Sequence, residues 1–228
     1  MPLLRALAAA AGTVVSSSLS GFQRFEARFY SATASWLYDR MVVSFGFRLL
    51  AGRLHPKVLA QGARAVQAAG DRPILDLPVG TAFFTLRWGR GGFVVGADIA
   101  AGMVEEAKSR AGGQGADWLT TAQADVSRLP FRDHSFGAIM CTNGLQVMPP
   151  LPMTLAELGR VLDQDGTLLV CMILFPLGAL LPNSLKSRLP TIFKGHAQVL
   201  EELRSEGWTV TARDRSRLAM LFDARPPV

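Results

Sequence analysis

Cysteine, lysine and tyrosine are all scarce in this 228-residue chain, which has two Cys, four Lys and two Tyr. Two cysteines, Cys141 and Cys171, cannot build a disulfide framework or a cysteine zinc cluster. Each lies in an apolar run, which predicts reduced core thiols and a cytoplasmic protein, with no metal site. Charged residues make up only 18% against 49% hydrophobic, which excludes a disordered or fibrous chain. The net charge of +6 is spread over 20 Arg and 4 Lys, and no three basic residues are consecutive. That scatter argues against a nucleic-acid partner and leaves weak contact with anionic lipid headgroups as the one membrane expectation.

No long apolar run is free of breakers. Gly166 to Leu185 is uncharged over 20 residues, but Pro176, Gly178 and Pro182 interrupt it, so it is not read as a transmembrane span. Met1 to Val15 carries one Arg and an Ala-rich stretch, yet the aromatic, charged segment Phe22 to Tyr30 follows, unlike a signal peptide. Residues 1–54 read as an N-terminal helical appendage, with Phe25, Phe29, Trp36, Leu37 and Met41 at helix-like spacings. Residues 55–228 read as one domain.

That domain opens with a helix from about His55 to Ala69, stopped by Gly70. Strands are then predicted at Pro73–Leu77, Gly92–Asp98, Trp118–Ala124, Phe136–Thr142 and Thr167–Leu174. Helices fall between them at Ala82–Trp88 and Ala101–Ala111, and helical stretches fill the remaining gaps, notably Pro152–Leu162. A helix at about Ala197–Glu206 and two strands, Trp208–Arg213 and Leu218–Ala224, close the chain. The expected fold is α/β: a Rossmann-like, seven-stranded, mostly parallel sheet with a C-terminal antiparallel hairpin and helices on both faces.

Three acids stand at or just past the ends of three successive strands: Asp76, Asp98 and Asp125. In open α/β sheets the ligand crevice lies beyond those carboxyl ends. Gly80 in the first turn lets backbone approach a ligand, and a carboxylate at Asp98 can accept both hydroxyls of a ribose.

The chain resembles the class I S-adenosylmethionine-dependent methyltransferases of the small-molecule, ubiquinone/menaquinone-like (type 11) branch. The resemblance rests on I-L-D-L-P-V-G-T-A (74–82), V-V-G-A-D-I-A-A-G-M-V-E-E-A (94–107), A-D-V-S-R-L-P-F-R-D-H-S-F-G-A-I-M (124–140) and L-A-E-L-G-R-V-L-D-Q-D-G-T-L-L-V (155–170). It implies S-adenosyl-L-methionine as cofactor. Gly80, Thr81 and Ala82 would line its methionine part, and Asp76 would orient the ammonium group. Asp98 would hold the ribose, Ile99 and Met103 the adenine faces, and Asp125 and Val126 the adenine edge. Thr142 and Asn143 would lie beside the sulfonium, and Tyr38 would contact the cofactor from N-terminal lid helices. Two positions depart from the family pattern, Pro78 and Ala82, where glycines are expected.

Methyl transfer from a sulfonium needs alignment and water exclusion more than a catalytic side chain. No nucleophile–base pair stands out. His134 reads as a surface-turn residue, His55 as a helix start, and His196 as a residue near the last helix. Thr142-Asn143-Gly144-Leu145 lacks the N-P-P-Y or D-P-P-Y tetrad of the resemblance's nucleic-acid amino-methyltransferases, and the uncharged stretch Phe175 to Leu185 suggests an apolar acceptor: a quinone, polyketide, sterol-like molecule or lipid. Two other classes share parts of the pattern. An NAD(P)-binding reductase would need G-x-G-x-x-G after the first strand, where only Gly80 stands. A catalytically inactive binding protein on the same fold is the second.

Overall fold

The computed structural model describes residues 52–88, 92–174 and 191–227. The expected N-terminal lid helices, Tyr38 and the apolar stretch Phe175 to Leu185 lie outside these residues. Eleven regular elements run in the order α1 (His55–Ala69), β1 (Ile74–Asp76), β2 (Val94–Asp98), α2 (Ala101–Gly113), β3 (Leu119–Gln123), β4 (Phe136–Thr142), α3 (Leu151–Val161), β5 (Leu162–Ile173), α4 (His196–Ser205), β6 (Thr209–Arg215) and β7 (Ala219–Arg225).

The seven strands form one sheet in the order β3-β2-β1-β4-β5-β7-β6. The first five are mutually parallel, and β7 runs antiparallel to both β5 and β6. Strands β1, β2 and β4 are buried at every position, as their apolar runs demand when both faces are covered. Ala65 and Ala69 of α1 pack with Ala107 and Ala111 of α2 against one face. Leu155 and Leu158 of α3 and Val199 and Leu203 of α4 cover the other, with Phe136, Val170 and Phe222 beneath them. Chain order reverses between β1 and β4, so the crevice expected of such a sheet opens there.

Two expectations need correction. No α-helix occupies 82–88; a single 3-10 turn, Thr85–Arg87, stands there. Ala82 takes φ +57°, which breaks right-handed helix at its first residue, and the Thr85 hydroxyl is spent on the Asp76 carboxylate. The gap between β3 and β4 likewise contains no helix; turns and an isolated bridge between Asp125 and Arg128 fill it. In addition, β5 starts at Leu162, directly after α3, five residues earlier than the apolar run at Thr167 suggested.

The hairpin is tied to α1 through charge. Asp223 on β7 is buried and accepts from Arg64 of α1 and from Arg213 of β6, the latter at 2.6 Å, while Lys57 pairs with Asp214. Only Asp223 is buried and its arginine partners reach solvent, so losing both arginines would strand its charge, whereas the Lys57–Asp214 pair at the surface contributes little.

Helix α1 also holds the segment after β1. A Cβ placed on Gly62 would fall 1.9 Å from Trp88 Cγ, so the indole lies directly on the helix backbone. Gly62→Ala is expected to displace Trp88 and lower stability by about 1–3 kcal/mol. Thermal unfolding of the variant checks this, and an unchanged midpoint would refute the contact.

Candidate functional site

The turn after β1 is held from three sides. Leu77 N–H donates to Met140 O on β4 at 2.9 Å, and Val79 N–H donates to Ala97 O on β2 at 2.8 Å. Val79 packs so tightly on β2 that a Cβ at Gly96 would be 2.6 Å from its Cγ2. Pro78, joined to Leu77 by a cis bond, rests on the segment after β4: a Cβ at Gly144 would come within 2.1 Å of Pro78 Cδ. The proline at a position where glycine was expected is therefore matched by a glycine opposite it.

Asp98 closes the arrangement. One carboxylate oxygen accepts from Gly80 N–H at 3.0 Å and the other from Ala100 N–H at 2.9 Å. Each oxygen has two lone pairs, so even with the Ile99 N–H also directed at it the carboxylate keeps capacity for a further donor. Gly80 itself takes φ +53° with nothing within 4 Å of where a Cβ would be, which leaves open space at the strand ends. Thr81 and Ala82, the next two residues, are buried. The Ala82 methyl belongs to the core cluster with Val79 and Trp88, so the departure from glycine is expressed in backbone conformation, not in crowding of the crevice.

Burial pushes the Asp76 carboxyl up to about 7, against the hydrogen bond from Thr85 and with the Asp98 charge adding to the rise. Burial also lifts Asp98 to about 6, opposed by the backbone N–H groups of Ala100, Gly80 and Ile99. Two acids raised side by side at converging strand ends suit a site that receives donors or positive charge.

Beyond β2, Ile99 is half-buried and Met103 on α2 is buried. Ala124 N–H donates to Asp98 O at 2.9 Å, and Gln123 Nε2 donates to Ile99 O at 3.0 Å, which bring the end of β3 beside that of β2. Asp125 is half-buried, with Oδ1 accepting from Ser127 N–H at 2.8 Å, and Val126 is buried. The loop that carries both is clamped from α3. Glu157 accepts Leu129 N–H at 2.7 Å, while Arg160 donates to Leu129 O at 3.1 Å, Phe131 O at 2.9 Å and Asp133 at 2.6 Å. Neither Arg160 nor Glu157 was singled out from the sequence; their only local signal is an i,i+3 charge pair.

At the end of β4, Thr142 is buried and its Oγ1 has no partner among the described residues, while Asn143 takes φ +57° and donates its N–H to Cys171 O at 2.7 Å. Gln146, another residue that the sequence reading passed over, donates Nε2 to Asn143 Oδ1 at 2.5 Å and is itself buried. The structure thus brings Asp76, Gly80, Thr81, Asp98, Thr142 and Asn143 to the ends of β1, β2 and β4, with Ile99, Met103, Asp125 and Val126 at the β2 and β3 ends. His134 is exposed in the turn before β4, away from that end of the sheet, its Nδ1 3.0 Å from Leu162 O. Among the described residues, no group of three or more His, Cys, Asp or Glu could hold a metal ion.

Parallel order, reversal between β1 and β4, and the β7 hairpin beside β5 define the class I methyltransferase fold. The methyltransferase domain family model matches residues 75–170. It is 35% identical over 115 residues to a demethylmenaquinone methyltransferase of Streptomyces avermitilis, covering 50% of this chain and 48% of that protein. The chain spans about half the length of the curated relatives it matches. Among solved structures, geranyl diphosphate methyltransferase in complex with GPP and sinefungin superposes with a TM-score of 0.66 at 15% identity, covering 91% of this chain and 99% of that one. A SAM-dependent methyltransferase from Aquifex aeolicus gives 0.59 at 16% identity, covering 73% and 88%.

Two outcomes are expected from this geometry. The folded protein keeps a proton on Asp76 up to about 7, whereas the unfolded chain releases it near 3.8. Between those values the folded state binds more protons, so the ligand-free protein loses stability as pH rises, and Asp76→Asn flattens that slope. A pH series of thermal midpoints for both proteins measures it, and identical slopes would refute the assignment.

At Ala82, relief of left-handed strain worth about 1–2 kcal/mol offsets loss of a buried methyl worth roughly 0.8 kcal/mol. Ala82→Gly should therefore stay within about 1 kcal/mol of wild type, whereas β-branched Ala82→Val should fall well below both. Denaturant unfolding of the three proteins compares them.

Proposed function

We propose that this chain is an S-adenosylmethionine-dependent methyltransferase acting on a small, lipophilic acceptor of the quinone type. The observation that carries the reading is the Asp98 carboxylate, fixed by Gly80 and Ala100 at the end of β2 and still able to accept from a ligand hydroxyl. Asp98 holds the ribose, and Ile99 and Met103 flank the adenine. Asp125 and the Val126 backbone take the adenine edge. Gly80 and Thr81, with Ala82 behind them, shape the methionine side, and ionised Asp76 receives the ammonium group. Thr142 and Asn143 border the sulfonium. These residues suit the group, because open space at Gly80 and the unpartnered Thr142 Oγ1 lie at the same sheet end.

When bound, S-adenosylmethionine supplies an electrophilic methyl group on a positively charged sulfur. The chain contributes alignment of an acceptor atom with that methyl and a crevice from which water is excluded. No described side chain is assigned as general base. The resemblance to demethylmenaquinone methyltransferases supports a quinone-type acceptor.

Residues 1–54, with Tyr38 and the stretch Phe175 to Leu185, complete the proposal as an apolar cover over the crevice, and residues 55–228 as the methyltransferase domain. No described helix is long and apolar enough to cross a membrane. A cytoplasmic protein without a nucleic-acid partner, touching anionic lipid weakly at most, is part of the same reading.

Calorimetry with S-adenosylhomocysteine tests it. Wild type is expected to bind at micromolar strength. Asp98→Ala should cost about 2–4 kcal/mol, since hydrogen bonds to a charged group contribute roughly 1.5–3 kcal/mol each with partial compensation by water. A neutral effect of Asp98→Ala, or wild-type preference for NADPH, would overturn the assignment.

A further inference from the structure

We propose that Gln146 determines acceptor specificity, its Oε1 accepting a hydrogen bond from a ring hydroxyl of the molecule to be methylated. The inference rests on the methyltransferase reading of the crevice and adds to it a residue and a chemical requirement on the acceptor. Gln146 is only 4% exposed, and its Oε1 has no hydrogen-bond partner among the described residues. A buried acceptor left unpaired is costly, and native structures keep few of them without a reason.

Position separates this atom from the other unpartnered ones. Six buried side-chain polar atoms lack partners among the described residues, and two of them lie four positions apart, Thr142 Oγ1 on the last residue of β4 and Gln146 Oε1 in the turn after it. That turn follows β4 at the point where chain order reverses in the sheet, which is where open α/β sheets place ligands. Gln61 Oε1, Trp88 Nε1 and Asp223 Oδ1 belong instead to α1, the Trp88 contact and the hairpin, and His196 is only partly buried.

The carboxamide is also held so that its oxygen is the group on offer. Its Nε2 is committed to Asn143 Oδ1 at 2.5 Å. Asn143 is fixed in turn by a left-handed backbone and by its N–H bond to Cys171 O. The turn closes through Val147 N–H to Gly144 O at 2.9 Å and rests on Pro78 through Gly144, where there is no room for a Cβ. A neutral amide oxygen accepts a hydrogen bond but does not take the proton. Gln146 therefore selects and orients a hydroxyl-bearing ring and is not a base. An acceptor that carries an ether at the same position would place two oxygens together with no hydrogen between them.

The probes are 1,4-dihydroxynaphthalene and 1,4-dimethoxynaphthalene, titrated anaerobically into the full chain saturated with S-adenosylhomocysteine. Wild type should bind the diol about tenfold more tightly than the diether, the scale of one hydrogen bond to a buried group. Gln146→Met, of similar length but without the acceptor, should bring that preference to within about twofold, measured at saturating S-adenosylhomocysteine for each protein. Gln146→Glu, which keeps an acceptor oxygen, should retain most of the preference. The inference is overturned if Gln146→Met keeps the tenfold preference, if wild type shows none, or if neither ring binds. Failure of wild type to bind S-adenosylhomocysteine would instead remove the methyltransferase reading beneath it.

Discussion

The Asp98 carboxylate is the contact on which the candidate site depends. Its two oxygens take the N–H of Gly80, from the turn after β1, and the N–H of Ala100, at the start of α2. A single side chain thus joins the ends of two neighbouring parallel strands to the helix that follows the second. The fold does this at the expense of burying a charge, and the raised proton affinity of Asp98 and Asp76 records that cost. A site that receives a cation or several hydroxyls returns part of it on binding, so strain in the empty protein and affinity for a ligand share one origin.

Around that contact the structure uses paired departures from the expected pattern. Pro78 replaces an expected glycine, and Gly144 across the crevice has no side chain to collide with it. Ala82 replaces another and accepts a left-handed backbone while its methyl joins the core. The turn after β1 and the turn after β4 therefore form one packed unit. A change on one side of the crevice is therefore felt on the other through packing (not through any charged relay).

The loop after β3 is supported from further away. Arg160 and Glu157, on α3, hold the carbonyl and amide groups of residues 129 and 131 and so fix the segment that begins at Asp125. Loops with so little regular structure need such external anchoring, because their own backbone groups find few internal partners. Arg160, with its planar fork of donors, can meet three separate acceptors at once.

Much of the architecture was legible from local pattern. Helix α1 was read at His55–Ala69 and is found there, because amphipathic spacing and Gly70 bound it on both sides. The apolar runs of β2 and β4 and the acids near their ends were equally plain, since a buried parallel strand leaves no other composition available. The expected helix at 82–88 failed because Ala82 is left-handed and Thr85 turns to Asp76, neither visible in residue propensities. Sequence alone determined the strand alternation, the class of fold and the carboxylates that face the crevice, all carried by periodicity and strand-end position. Only the tertiary structure decided the contacts of Arg160 and Gln146 and the seating of Pro78 on Gly144. Arg160 meets Leu129 from 31 positions away, and the Pro78 contact exists only because β1 and β4 lie side by side.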